Sequence, residues 1–287
     1  MAAVVFIHGV GERPGPGGDT ALAEWVGGLA APMPDRLGGW LRANSAMAYY
    51  QDWDWLDGDV ANLRRPSHTW ATVKAALSDA VEEARAAYDE VEPKRIADLG
   101  AVAERWAESE RVLAASNLAA DQVSAFNLWQ VSAFLEDIEG SRQQVLDRFG
   151  AAVGPDTRVI IAHSLGSVVA YEAAHETGLE LDALITLGSP LGVDGYVRHR
   201  LTTPDRAPSG IGRWVNICHP AEPVALTNEL APIFTDADGQ PVVEDLVIPT
   251  GGTQPWHAIA TYLQRDEVRR AIWNALDPHA AENPAAT

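Results

Sequence analysis

The chain has 287 residues, 47% of them hydrophobic and 21% charged, a globular composition with room for one large α/β domain carrying an insertion or for two small domains. Its 21 Lys and Arg against 40 Asp and Glu give a formal charge of −19, and so acidic a chain is repelled by phosphate backbones and anionic lipid surfaces. Nucleic acid is therefore not an expected partner, and the single cysteine, Cys218, excludes an intramolecular disulfide and a cysteine-based zinc site.

The first residues, Met1-Ala2-Ala3-Val4-Val5-Phe6, carry no basic run and lead straight into a strand, so they do not read as a signal peptide. No apolar stretch approaches the length of a membrane span. A cytoplasmic location without an integral membrane segment is the expectation.

Val4-Val5-Phe6-Ile7 reads as a short buried strand, stopped by His8-Gly9-Val10-Gly11 and a Gly/Pro-rich loop. Asp19 or Thr20 can cap a helix reaching about Ala31. Ala46 to Tyr50 reads as a second strand. From about Pro66 to Phe149 the strand signal vanishes: Trp70, Val73, Leu77, Val81, Ala84, Tyr88 and Val91 recur every three or four residues, the stripe of an amphipathic helix. A second helix follows from Ile96 to Leu113, and a third from near Asp121 to Phe149, with a break at Gly140.

The alternation then resumes. Arg158–Ala162 reads as a buried strand, Leu165–Glu176 as a helix ended by Gly178, and Ala183–Leu187, Trp214–Cys218 and Val242–Ile248 as three further strands. Ile259, Tyr262, Leu263, Val268, Ile272 and Leu276 mark one last helix. The expected fold class is α/β, with a mostly parallel central sheet covered by helices on both faces. The expected organisation is a core of residues 1–65 and 150–278, a helical insertion or cap at 66–149, and a flexible tail at 279–287.

One pentapeptide carries the chemistry. Ala162-His163-Ser164-Leu165-Gly166 lies between a buried strand and a helix, where a nucleophile elbow needs small residues on both sides of its serine. The hydroxyl then stands above the sheet at a helix N-terminus, which favours developing negative charge. The first position is Ala where the general motif has Gly, and Ala is small enough for the turn. The same five residues also suit a serine capping an ordinary helix.

Together with Phe6-Ile7-His8-Gly9-Val10-Gly11, Leu187-Gly188-Ser189-Pro190-Leu191, and Trp214-Val215-Asn216 followed by Pro223-Val224, this elbow resembles the α/β-hydrolase superfamily. The similarity is to its lipase/esterase members, near the branch of GPI-inositol-deacylase-like serine hydrolases. It implies an α/β-hydrolase fold, in which the helical insertion is either a lid or a block packed onto the sheet. It also implies an oxyanion hole formed by the backbone N–H groups of Val10 and Leu165. Preorganised donors at such a point are worth about 3–4 kcal/mol each.

A serine nucleophile needs a base, and the base an orienting acid, in the chain order Ser, Asp/Glu, His. Of the histidines after Ser164, His175 lies on the helix after the elbow and points away, and His279 is in the tail. His257, after the presumed last strand and just before the last helix, is the candidate base, with Trp256 able to shield it. Glu222, on a loop stiffened by Pro220 and Pro223, is the candidate acid; Asp194 is the alternative, and Asp236 and Asp238 are weaker ones. His8 and His163 read as structural, and Cys218 as a packing residue. No metal-ligand spacing is present and no cofactor is expected.

The function expected from this set is hydrolysis of a small-molecule or lipid-like carboxylic ester through an acyl-enzyme. A peptidase, amidase or thioesterase on the same residues, and a non-catalytic binding module of the same fold, are the alternatives. Trp106, Phe126, Trp129 and Phe134 could wall an acyl group or simply pack the insertion onto the sheet, and the insertion could also carry a homodimer interface.

Overall fold

A computed structural model describes residues 2–9, 18–32, 35–50, 131, 134–135, 137, 140–193, 197–220, 224–225, 229–248 and 257–276. The helical block from 66 to 130 and the tail at 279–287 lie outside the described residues, as do Val10, Asp194, Glu222 and Trp256.

The strands are β1 (Val4–Ile7), β2 (Ser45–Ala48), β3 (Val159–His163), β4 (Ala183–Leu187), β5 (Trp214–Cys218) and β6 (Val243–Val247). They form one six-stranded sheet in the order β2-β1-β3-β4-β5-β6, and every pair is parallel. The helices are α1 (Gly18–Ala30), α2 (Asp35–Ala43), α3 (Ser141–Ala152), α4 (Leu165–Thr177), α5 (Ile259–Leu263) and α6 (Asp266–Leu276).

The four inner strands, β1, β3, β4 and β5, are buried throughout, as their continuous apolar runs require of strands covered on both faces. Successive side chains then feed two different cores. Val5, Ile7, Ile160, Ala162, Leu184 and Trp214 pack under α3 and α4 with Val145, Phe149, Val168 and Tyr171. Val4, Phe6, Ile161, Ile185, Val215 and Ile217 pack on the other face with Trp25 and Leu29 of α1, Leu263 of α5 and Val268 of α6. There Phe6 meets Trp25 edge-to-face at 5.8 Å, and Trp25 is 2% exposed, so truncating it to Ala would cost about 3–5 kcal/mol.

The bounds of β3 and β6 shift by a residue, and α1 starts at Gly18, so Asp19 lies inside its first turn and does not cap it; three differences are larger. β2 ends at Ala48, because Tyr49 and Tyr50 turn to pack on the His8 ring instead of continuing the ladder. The single last helix is two: α5 ends at Leu263 and α6 restarts at Asp266, with Asp266 and Glu267 in the turn where the helix dipole favours acids. Third, α3 runs on to Ala152, past the expected helix end at Phe149. It begins after Gly140, whose φ of 75° suits glycine, and buries Val145 and Phe149 in the sheet core. Phe134 is likewise fully buried in that core.

Strand order fixes where a site can form. The chain leaves β1 toward β2 on one side, then returns to β3 on the other. The carboxyl ends of β1 and β3 thus flank a topological switch point, where connections diverge and leave a crevice. His8-Gly9 follows β1 there, and Ser164 follows β3.

Candidate active site at the end of the third strand

Ser164 is the single residue between β3 and α4, and its backbone is strained, with φ 54° and ψ −128°. Such a conformation costs a non-glycine residue about 1–3 kcal/mol and persists only where the surroundings fix it. Here they do. The Ser164 N–H donates to the Leu187 carbonyl of β4 at 3.0 Å. Its own carbonyl accepts from the Ser167 N–H at 2.9 Å and from the Ser167 hydroxyl at 2.5 Å.

That hydroxyl belongs to an ordered chain. Leu191 N–H donates to Ser189 Oγ; because Ser167 spends its proton on the Ser164 carbonyl, Ser189 donates to Ser167 at 2.7 Å. Both serines are buried. Sequence reasoning misses this role; its only signal is that Ser167 directly follows the elbow and Ser189 lies in the Leu187–Leu191 motif.

Small residues are enforced by contact. A Cβ at Gly166 would lie 2.6 Å from the carbonyl oxygens of both Ile7 and His8, so α4 can approach β1 only with glycine there. Ala162, the departure from the general motif, is fully buried and accommodated. Leu165 opens α4, where a backbone N–H has no acceptor within the helix and is available to an incoming oxygen. Val10, the other expected donor, lies outside the described residues.

The loop after β1 is clamped. His8 is fully buried; its Nδ1 donates to the Gly9 carbonyl at 2.6 Å, and its Nε2 accepts the Tyr50 N–H at 3.1 Å. The Tyr50 hydroxyl donates to the His8 carbonyl, and the two rings stack at 4.1 Å. His8 thus binds its own loop, as the sequence implied. Tyr50, which reads as a strand residue by type, is the other half of the clamp.

The structure brings Ser164 and His257 together: His257 Nε2 lies 2.9 Å from Ser164 Oγ, although 93 positions separate them. His257 is carried back to β3 by α5 and α6, which lie on the α1 face; Arg269 of α6 ties them to α1 through the Gly28 carbonyl. An imidazole nitrogen at this distance can take the hydroxyl proton.

His163 stands beside them, 6% exposed. Its Nε2 donates to the His257 backbone carbonyl at 2.7 Å, and the two rings tilt against each other at 4.8 Å. Burial, followed by the neighbouring His257, pushes the His163 ring well below the usual histidine range, so it is neutral.

The remaining candidates sit elsewhere. His175 Nε2 donates to the Arg206 carbonyl at 2.9 Å on the far side of α4. Asp236 caps a turn, accepting the Asp238 and Gln240 N–H groups at 2.9 and 2.8 Å. Cys218 is buried at the end of β5. Asp194 and Glu222 lie outside the described residues.

Among the described residues no cluster of three or more His, Cys, Asp or Glu could hold a metal ion, and no helix is long and apolar enough to cross a membrane. Comparison with protein-family models, with curated proteins and with solved structures returns no match.

Proposed function

We propose that this protein is a serine hydrolase of the α/β-hydrolase type that cleaves carboxylic esters. The observation that carries the reading is the 2.9 Å approach of His257 Nε2 to Ser164 Oγ, at a strained strand-to-helix turn beside the switch point of a parallel sheet. A serine that only capped a helix would have no need of a disfavoured backbone or of an imidazole from the far end of the chain. The fully parallel sheet, with β1 between β2 and β3, supports the same fold reading.

On this reading Ser164 Oγ attacks the ester carbonyl carbon as His257 Nε2 takes its proton. The carbonyl oxygen becomes an oxyanion held by the Leu165 and Val10 N–H groups. Collapse breaks the bond to the alcohol, which leaves with the proton from His257, and the acyl group remains on Ser164. Water, deprotonated by His257, then releases the acid and restores the serine. Glu222 orients His257 and stabilises its charged form. The substrate is a small or lipid-like ester.

The test is labelling with a fluorophosphonate probe, in which the activated serine oxygen displaces fluoride from phosphorus. Peptide mass spectrometry should find the label on Ser164 in the wild type and none in Ser164→Ala. A folded wild type that stays unlabelled and turns over no member of a p-nitrophenyl ester panel would reject the hydrolase reading in favour of a binding module.

A further inference from the structure

The base of the proposed reaction is useful only if its ring stays within hydrogen-bond reach of Ser164, and the segment that carries it comes from the far end of the chain. We propose that His163 is a positioning residue that tethers the backbone of His257 to the strand end that presents the nucleophile. The proposal rests on the hydrolase reading.

Three observations carry it. His163 is the last residue of β3, in register with Leu187 of β4, and the immediate neighbour of Ser164, so the serine and the tether share one strand end. Its Nε2 lies 2.7 Å from the His257 carbonyl oxygen. A carbonyl only accepts, so Nε2 must bear the proton, and in a neutral ring this fixes the tautomer. Finally, the His163 ring lies against the His257 ring at 4.8 Å and near Tyr262 of α5 at 6.0 Å, so it also bounds the space in which His257 can turn.

The neutrality has a consequence for the reaction. His257 becomes an imidazolium when it takes the serine proton. A charged ring at 4.8 Å would oppose that step, whereas a neutral donor holds the His257 backbone without opposing it. His8 is the other ring that bears electrostatically on His163, and it too is buried.

The test compares His163→Gln with His163→Asn. Both carry an amide N–H; only Gln reaches about as far as Nε2. Fluorophosphonate labelling of Ser164 should proceed within about 5-fold of wild type in His163→Gln. It should be slower by about 10- to 100-fold in His163→Asn, since a displacement near 1 Å costs about that much. With a p-nitrophenyl ester the loss should fall on kcat while KM stays within about 2-fold. Equal labelling rates in the two variants would overturn the proposal. A variant-free check is the nitrogen-15 spectrum of the wild-type histidine rings: the proton on Nε2 of His163 supports the tether, and the proton on Nδ1 overturns it. An unlabelled wild type whose spectrum still shows the Nε2 proton would sink the hydrolase reading, and the catalytic purpose of the tether with it, while leaving the bond itself intact.

Discussion

Gly9 faces the side chain of Ser164 so closely that a Cβ built on it would collide with the serine Cβ and stand 3.0 Å from Oγ. The loop after β1 therefore approaches the hydroxyl as bare backbone, the form needed for a loop that offers N–H groups to an oxyanion. Gly9→Ala should displace either the loop or the serine, destabilising the fold by about 1–3 kcal/mol. Labelling of Ser164 should slow by about 100-fold or more, because a shift near 1 Å suffices. Urea unfolding and probe labelling on the same sample check both effects; a Gly9→Ala protein that labels at the wild-type rate would show that the close approach is immaterial.

The strain at Ser164 predicts that activity and stability oppose each other there. Its φ of 54° is easy for glycine and costly for serine or alanine. Ser164→Ala removes the hydroxyl but keeps the strain; Ser164→Gly removes both. We expect Ser164→Gly to be more stable than Ser164→Ala by about 1 kcal/mol, the strain relieved outweighing the extra entropy of a glycine in the unfolded chain. Neither should label. Thermal melts of the two variants decide the matter, and equal stability would mean that the turn is not strained.

Much of the fold is legible in the amino-acid sequence. The bounds of β1, β4 and β5 follow from apolar runs rich in β-branched residues, ended by His8, Gly188 and His219. Sequence alone extends β2 too far because Tyr49 and Tyr50 suit a strand by type; nothing local says that their rings lie against His8. The break between α5 and α6 is invisible there because Tyr262, Leu263, Val268 and Ile272 all feed one core, so the apolar spacing runs across the interruption. His257 is legible by its position in the chain. The bond from His163 to the His257 carbonyl is not, since a backbone acceptor has the same chemistry at every residue and leaves no mark in a sequence.

His163 should make stability depend on pH in mildly acidic solution. Burial, and next the neighbouring His257, hold its folded-state pKa well below the ordinary 6.5. Between these two values the unfolded chain binds a proton that the folded chain does not. Stability should therefore be full above about pH 6.5 and fall as pH decreases through that window, by at most about 1.4 kcal/mol per pH unit for this one proton. His163→Gln, which does not titrate, should flatten the decline. Urea midpoints from pH 5 to 8 measure it, and parallel curves for the two proteins would exclude His163 as the source.

A buried ion pair ties α3 and α4 together. Glu172 is fully buried and accepts from Arg142 Nη2 at 2.5 Å, from the Thr202 N–H at 2.9 Å and from the Thr202 hydroxyl at 2.6 Å. Arg142 also pairs with Glu176 and lies over the Phe134 ring at 5.3 Å. Arg142→Ala would leave the Glu172 carboxylate buried with Thr202 alone, a loss of about 3–5 kcal/mol. Replacing both partners, Arg142→Met with Glu172→Leu, should recover most of that loss, because the desolvation cost disappears with the charges. Chemical denaturation of the single and double variants tests this; a double variant no better than the single would assign the loss to packing over Phe134 instead.

The orienting acid offers the sharpest test of the resemblance. In the proposed reaction a carboxylate that accepts from the other nitrogen of His257 fixes its tautomer and steadies the imidazolium. The expectation from the sequence is Glu222, on the loop after β5, with Asp194, after β4, as the alternative. Glu222→Gln keeps the shape but leaves an amide that can hold the wrong tautomer, so kcat on a p-nitrophenyl ester should fall on the order of 10³- to 10⁴-fold. Asp194→Asn should leave kcat within a few-fold. The reverse pattern would move the acid to the end of β4. Little change in both, with Ser164 still labelled, would mean that His257 takes its orientation from its backbone, which His163 holds, and not from a carboxylate.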